Sequence, residues 1–192
     1  MNRGTSRYGT PRILDSPGSP PGTPVSIGRK AGECAMATMI SRLRDYLDER
    51  NIHYQTIHHR RDYTAQETAA DTATPGSQFA KAVLFKVEDG FVMAVLPAHY
   101  KVSIDKLRAY IGCEKIRLAT EDEILEVCPD CAVGAEPPFG NLYGIPVYLC
   151  KDMSSQGWIT FNAGTHEDVV RMKHDDYVEL VRPQIGDFSI RP

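Results

Sequence analysis

"KAVLFKVEDGFVMAVLP", residues 81–97, decides the fold. Two runs rich in Val, Leu and Phe flank Asp89-Gly90, and this dipeptide between β-prone runs is a strong hairpin signal. Alternation along the first run sets Lys81, Val83, Phe85 and Val87 on one face, with Ala82, Leu84 and Lys86 on the other. An ammonium group therefore stands in line with Val83 and Phe85. A lysine at a strand end commonly runs its apolar stem along the sheet and returns its charge to water. The pattern alone leaves Lys81 as either a surface anchor or a working group.

Helical and extended patterns lie on both sides of the hairpin. Upstream, "MISRLRDYLDERNI" places Ile40, Leu43, Tyr46, Leu47 and Ile52 near helical spacing, and "HYQTIHH" reads as a short strand. "YTAQETAADTA" opens a helix through Thr64 and Glu67, spaced as a capping box. Downstream, "SIDKLRAYIG" is a helix between an Ser103 N-cap and Gly112, and "KIRLA" a strand. "TEDEILEV" is a helix with a second capping box, Thr120 with Glu123, ended by Pro129. "IPVYLC", "GWITFNAG" and "EDVVRM" read as strands, and "HDDYVELV" as a closing helix. Interleaved helices and strands around an antiparallel hairpin imply an α/β or α+β domain on a mixed sheet.

Residues 1–32 hold six Gly and five Pro and carry a net charge of +4 (five basic residues against Asp15). Such a segment cannot bury apolar surface, so 1–36 is expected to be a disordered tail and 37–192 one folded domain. Its prolines argue against an amphipathic presequence. The whole chain is −3, which leaves −7 for the rest. A domain this acidic is no general nucleic-acid binder, because such binding rests on phosphate neutralisation. DNA is not an expected partner, and any RNA contact must be local. No apolar run approaches the roughly 18 residues needed to span a membrane. An odd cysteine count of five, with no Asn-x-Ser/Thr site, points to a reduced, cytoplasmic setting.

Several stretches carry candidate chemistry. "GAEPPFGNLYG", residues 134–144, has three Gly and two adjacent Pro but no nucleophile. Gly134 permits close backbone approach, and Pro137 and Pro138 stiffen the loop, so a main-chain N–H could meet developing oxyanion charge. The plainer reading is a rigid connection. "FNAGTHE", residues 161–167, offers Asn162, Thr165 and His166, the last a possible acid or base near neutral pH. "HHRR", residues 58–61, could hold phosphates or be a solvated loop. "CPDC", residues 128–131, lacks the second ligand pair a zinc site needs and follows a helix rather than opening one. No P-loop, Ser elbow, dinucleotide fingerprint or H-E-x-x-H is present.

A lysine opening a hairpin ("FAKAVLFK…GFVMAVLP"), then "GAEPP", then a strand ending in "FNAGTH", with "YTAQETA" upstream, resembles the YbaK/prolyl-tRNA-editing-domain family of aminoacyl-tRNA deacylases over about residues 38–183. The resemblance implies a mixed, partly barrel-like sheet with surrounding helices. It implies hydrolysis of a wrong amino acid's ester from the tRNA 3′ CCA end, with no metal or other cofactor. Lys81 matches the family's essential lysine beside the terminal adenosine. Gly134 and Pro138 match its G-x-x-x-P loop; Asn162, Gly164 and Thr165 fall where members line the pocket, with His166 beside them. Tyr63, Met93 and Phe139 are candidate pocket walls. The implied role is a free-standing editing deacylase for a small amino acid such as Ala, Ser, Cys or Pro. The alternatives are a binding module of the same fold without turnover, and an esterase for another small ester.

Overall fold

A computed structural model of the protein describes residues 39–59, 61, 64–153 and 157–191. The expected tail, 1–36, lies outside them, as does Tyr63. The elements in chain order are α1 (Ser41–Asp48), β1 (Tyr54–His58), α2 (Ala65–Asp71), β2 (Phe79–Val87), β3 (Gly90–Pro97), β4 (Lys101–Val102), α3 (Ile104–Ile111), β5 (Ile116–Leu118), α4 (Glu121–Val127), β6 (Val147–Cys150), β7 (Trp158–Asn162), β8 (Asp168–Lys173), α5 (His174–Val181), β9 (Gln184–Gly186) and β10 (Ser189–Ile190). Every helix and strand expected from sequence is present. The sheet is mixed, as expected, and open, in the order β1-β8-β7-β2-β3-β6-β9. β4 and β10 form a separate two-stranded ladder. Among the described residues, no helix is long and apolar enough to cross a membrane.

Local chemistry accounts for the element ends. Thr64 and Thr120 each accept the N3 amide at the side chain and donate their backbone N–H to the N3 glutamate, which completes both capping boxes. Ser103 caps α3, and Gly112, at φ 78°, ends it. The hairpin turn sits one residue earlier than Asp89-Gly90 suggested. Glu88 and Asp89 make the turn, while Gly90 pairs with Val87 and takes φ 140°. The glycine's freedom is thus spent in the first residue of β3.

Both faces of the sheet are buried, against different partners. Ala80, Leu84, Met93 and Val95 join Leu43, Leu47, Phe139, Phe161 and Tyr177 in the larger core, beneath α1 and α5. Phe85, Val92 and Leu96 face the other way, with Leu107 of α3 and Phe188. Phe79 shares that second side with Val169 and with Ala69 of α2. Lys81 is in phase with Phe79 and Phe85, so its side chain is on the α2/α3 side.

One edge of β2 is used in two pieces. Phe79 and Ala80 pair in parallel with Thr160 and Phe161 of β7, and Phe85, Lys86 and Val87 pair antiparallel with β5. Residues 81–84 lie where one ladder stops and before the other begins. That interruption opens the sheet beside Lys81.

Candidate functional site

Lys81 is half-buried, and its Nζ donates to the carbonyl oxygen of Ala98 at 3.0 Å. Burial lowers its pKa first, and the nearby Lys101 ammonium lowers it further. Among the described residues it has no acidic partner. The β2–β7 register carries Asn162 to the same face: Phe79 stands beside Thr160, and Lys81 and Asn162 each follow two residues later. The amide oxygen of Asn162 is buried with no hydrogen-bond partner among the described residues, and so are Thr160 Oγ1 and His99 Nδ1. Buried polar atoms are normally satisfied, and those that are not call for a donor or acceptor from elsewhere. His99 directly follows Ala98, whose carbonyl holds Lys81. The α2/α3 face therefore carries a cation beside two unsatisfied polar atoms, Thr160 Oγ1 and Asn162 Oδ1.

The glycine–proline loop is strapped to the turn after β7. Ala132 N donates to Gly164 O at 2.9 Å, and Gly164 N returns the bond to Ala135 O at 3.0 Å. Gly164 takes φ 91°, and a Cβ there would lie 2.4 Å from Ile40 Cγ2, so only glycine lets α1's entry pack against this turn. His166 Nε2 is 3.0 Å from Val133 O. Its Cε1 lies 3.8 Å from where a Gly134 Cβ would be. The structure thus brings Gly134, Gly164 and His166 together.

Other expected site residues take different places. Gly134, exposed at φ 86°, does not hold its N–H open: it donates to Glu136 Oε1 at 2.9 Å. Glu136 is only 5% exposed, and burial raises its carboxyl pKa despite that bond. The physical reason is local, since a buried carboxylate two residues on takes the nearest donor. Pro137 and Pro138 are buried, and Pro138 O accepts from Tyr177 Oη at 2.9 Å. Phe139 packs in the larger core against Phe161, Tyr177 and Tyr46. Met93, paired with Leu84, is also fully buried there. These four residues are packing groups and reach no open surface. Thr165 Oγ1 donates to Asp168 Oδ2 at 3.0 Å, so its hydroxyl is committed. The cavity beside Lys81 includes no residue of the 134–138 loop among its walls. Lys81 and Gly134 are connected through β7 and its turn.

Asp168 is the residue that sequence reasoning missed. It is buried, and its other oxygen is 3.0 Å from His58 Nδ1, its cross-strand neighbour on β1. "HHRR" drew attention to His58, but an aspartate inside a β-rich run gave no sign of its partner. Arg60 lies outside the described residues. The Cys128 and Cys131 thiols are buried, and desolvation pushes both up to about 12. Both side chains pack in the larger core. Among the described residues, no cluster of three or more His, Cys, Asp or Glu could hold a metal ion.

A lysine at a break in a mixed sheet, an unsatisfied amide on the same sheet face and a proline-stiffened loop tied to the turn after β7 thus belong to one α/β domain. The chain belongs to the aminoacyl-tRNA editing domain family, whose profile matches residues 59–180. It is similar to the proline–tRNA ligases of Staphylococcus aureus (strain Newman), 36% identical over 106 residues, and of Staphylococcus saprophyticus, 31% over 107. Each match covers 55% of this chain and 18% of the ligase, so the chain spans less than a fifth of these relatives' length. A solved structure described as a candidate trans-editing enzyme for prolyl tRNA synthetase superposes with a TM-score of 0.69 at 23% identity, covering 78% of this chain and 95% of that one. A scaffold protein used for computational epitope grafting gives 0.70 at 18%, covering 79% and 96%. These two likenesses establish the fold.

Proposed function

We propose that the chain is a hydrolase that removes a wrongly attached small amino acid from the 3′ end of tRNA. One observation carries the reading: in a member of the editing-domain family, Lys81 stands on the same sheet face as the unsatisfied amide oxygen of Asn162. The substrate ester is already activated, so positioning and oxyanion stabilisation supply most of what hydrolysis needs. Lys81 would hold the terminal nucleotide, and Asn162 would accept a hydrogen bond from a ribose hydroxyl or the α-ammonium group. Gly134 would offer its N–H to the ester oxygen once Glu136 releases it. His166, beside Gly134, would orient water or the leaving hydroxyl.

A panel of correctly and wrongly charged tRNAs tests this. Release of amino acid from at least one mischarged species, lost in Lys81→Ala, supports the reading. Absence of turnover across the panel contradicts it. A second reading, a binding module without turnover, draws on the Gly134 N–H already being held by Glu136. Tight binding of aminoacylated RNA with no release would favour it. Hydrolysis of simple esters with indifference to tRNA would point to another substrate.

A further inference from the structure

β4 brings a second ammonium to the place where the sheet opens. Lys101 and Lys81 share a cavity of about 220 Å³, walled by Val83, Phe85, Ile104 and Leu118. Neither lysine forms an ion pair among the described residues, although the chain as a whole carries more acidic than basic groups, 25 against 22. Two like charges at one cavity repel, and Lys101 does act on Lys81 in that sense. An arrangement of this kind is stabilised by an anion from outside. The wall opposite is apolar and uncovered: Ile104 is 42% and Leu118 55% exposed. Paired cations beside an apolar wall fit a charged backbone that carries flat, weakly polar groups, which is the chemistry of single-stranded nucleic acid.

We propose that Lys101 and the Ile104–Leu118 wall form a docking subsite for the RNA strand just before its terminal nucleoside. Lys101 neutralises a backbone phosphate there, and the wall takes the adjoining base. The inference rests on the reading of the chain as acting at a tRNA 3′ end and names where the preceding nucleotide lies. Lys101 is a positioning residue and does not touch the reacting ester. An acidic domain then needs no broad basic surface, because one short single-stranded stretch supplies the contact.

The probe is a fluorescent RNA minihelix ending in single-stranded ACCA, compared with the same helix cut blunt, titrated with the full chain over a range of salt. Wild type should prefer the overhang. Lys101→Glu should weaken overhang binding tenfold or more and lower the log–log salt slope by about 0.7–1. Lys101→Arg should keep both. Leu118→Ser should weaken binding with the slope unchanged. Both residues are exposed, and circular dichroism melting checks that the variants fold. Binding by Lys101→Glu within twofold of wild type overturns the proposal, and so does equal wild-type affinity for blunt and overhanging RNA. In turnover, Lys101→Ala should raise KM for charged tRNA and leave kcat unchanged, and should not affect aminoacyl-adenosine, which lacks that phosphate. If mischarged tRNA is cleaved but Lys101→Glu does not alter KM, the subsite fails while the hydrolase reading stands. If Lys101 governs RNA binding and no ester is cleaved, the subsite stands and the hydrolase reading fails.

Discussion

At the scale of single residues, the site is built from groups whose ordinary partners are missing or borrowed. Lys81 holds its charge half-buried against a carbonyl oxygen rather than a carboxylate. Asn162 keeps a buried oxygen unsatisfied. Glu136 takes the Gly134 amide, at the cost of a carboxylate in an apolar setting. Because burial raises the Glu136 pKa, the folded state binds this proton more tightly than the unfolded chain. Its stabilising effect is present below the unfolded value of 4.5 and is lost as pH rises through the folded value. Glu136→Gln should therefore raise the melting temperature at pH 7, with the gain shrinking toward pH 4; an equal gain at both pH values would contradict this. Gly164 answers to geometry alone. Gly164→Ala would set a Cβ against Ile40 at a positive φ, and should cost about 2 kcal/mol or more in denaturant unfolding. A loss under about 0.5 kcal/mol would show that the turn can shift.

At the scale of elements, what could be read from sequence is what local chemistry dictates. Thr64 with Glu67 and Thr120 with Glu123 announced two helix starts because each box is closed within four residues. Thr120→Ala should cost about 1 kcal/mol, measurable by urea unfolding. The hairpin was legible for the same reason, apart from one residue of turn register, which the backbone of Gly90 settles. Lys81, Gly134 and His166 could be singled out, but not their mutual placement. The pairing of β2 with β7 and β5 is nonlocal, and it decides which core each face of the strand meets. Met93 and Phe139 show the limit: an apolar residue near a candidate loop can line a pocket or fill the core, and only tertiary packing tells which. Phe139 pins the glycine–proline loop to the larger core. Phe139→Ala should cost about 3–5 kcal/mol and loosen that loop, seen as faster amide exchange at 134–138.

At the scale of the whole molecule, the open mixed sheet is covered on both sides, and the candidate chemistry lies where ladder pairing along β2 is interrupted. Burial of the sheet has a consequence for acid stability. His174, at the start of α5, is 5% exposed, and its Nε2 has no partner among the described residues. Burial lowers its pKa below 6.5, against a smaller opposing pull from Asp175. The unfolded chain then takes up this proton before the folded one does, so stability falls as pH drops below 6.5 toward the folded value. Melting temperatures between pH 7.5 and 5.5 should decline for the wild type and less so for His174→Gln.

The central claim is that an ammonium group carried by β2 is what lets this chain act on aminoacylated RNA. Single-turnover release of amino acid from mischarged tRNA, compared between wild type and Lys81→Met, tests it most directly, because methionine keeps the stem and removes the charge. The account predicts release by the wild type and a fall of at least a hundredfold in Lys81→Met with the melting temperature little changed. Release by the folded variant at the wild-type rate would contradict it.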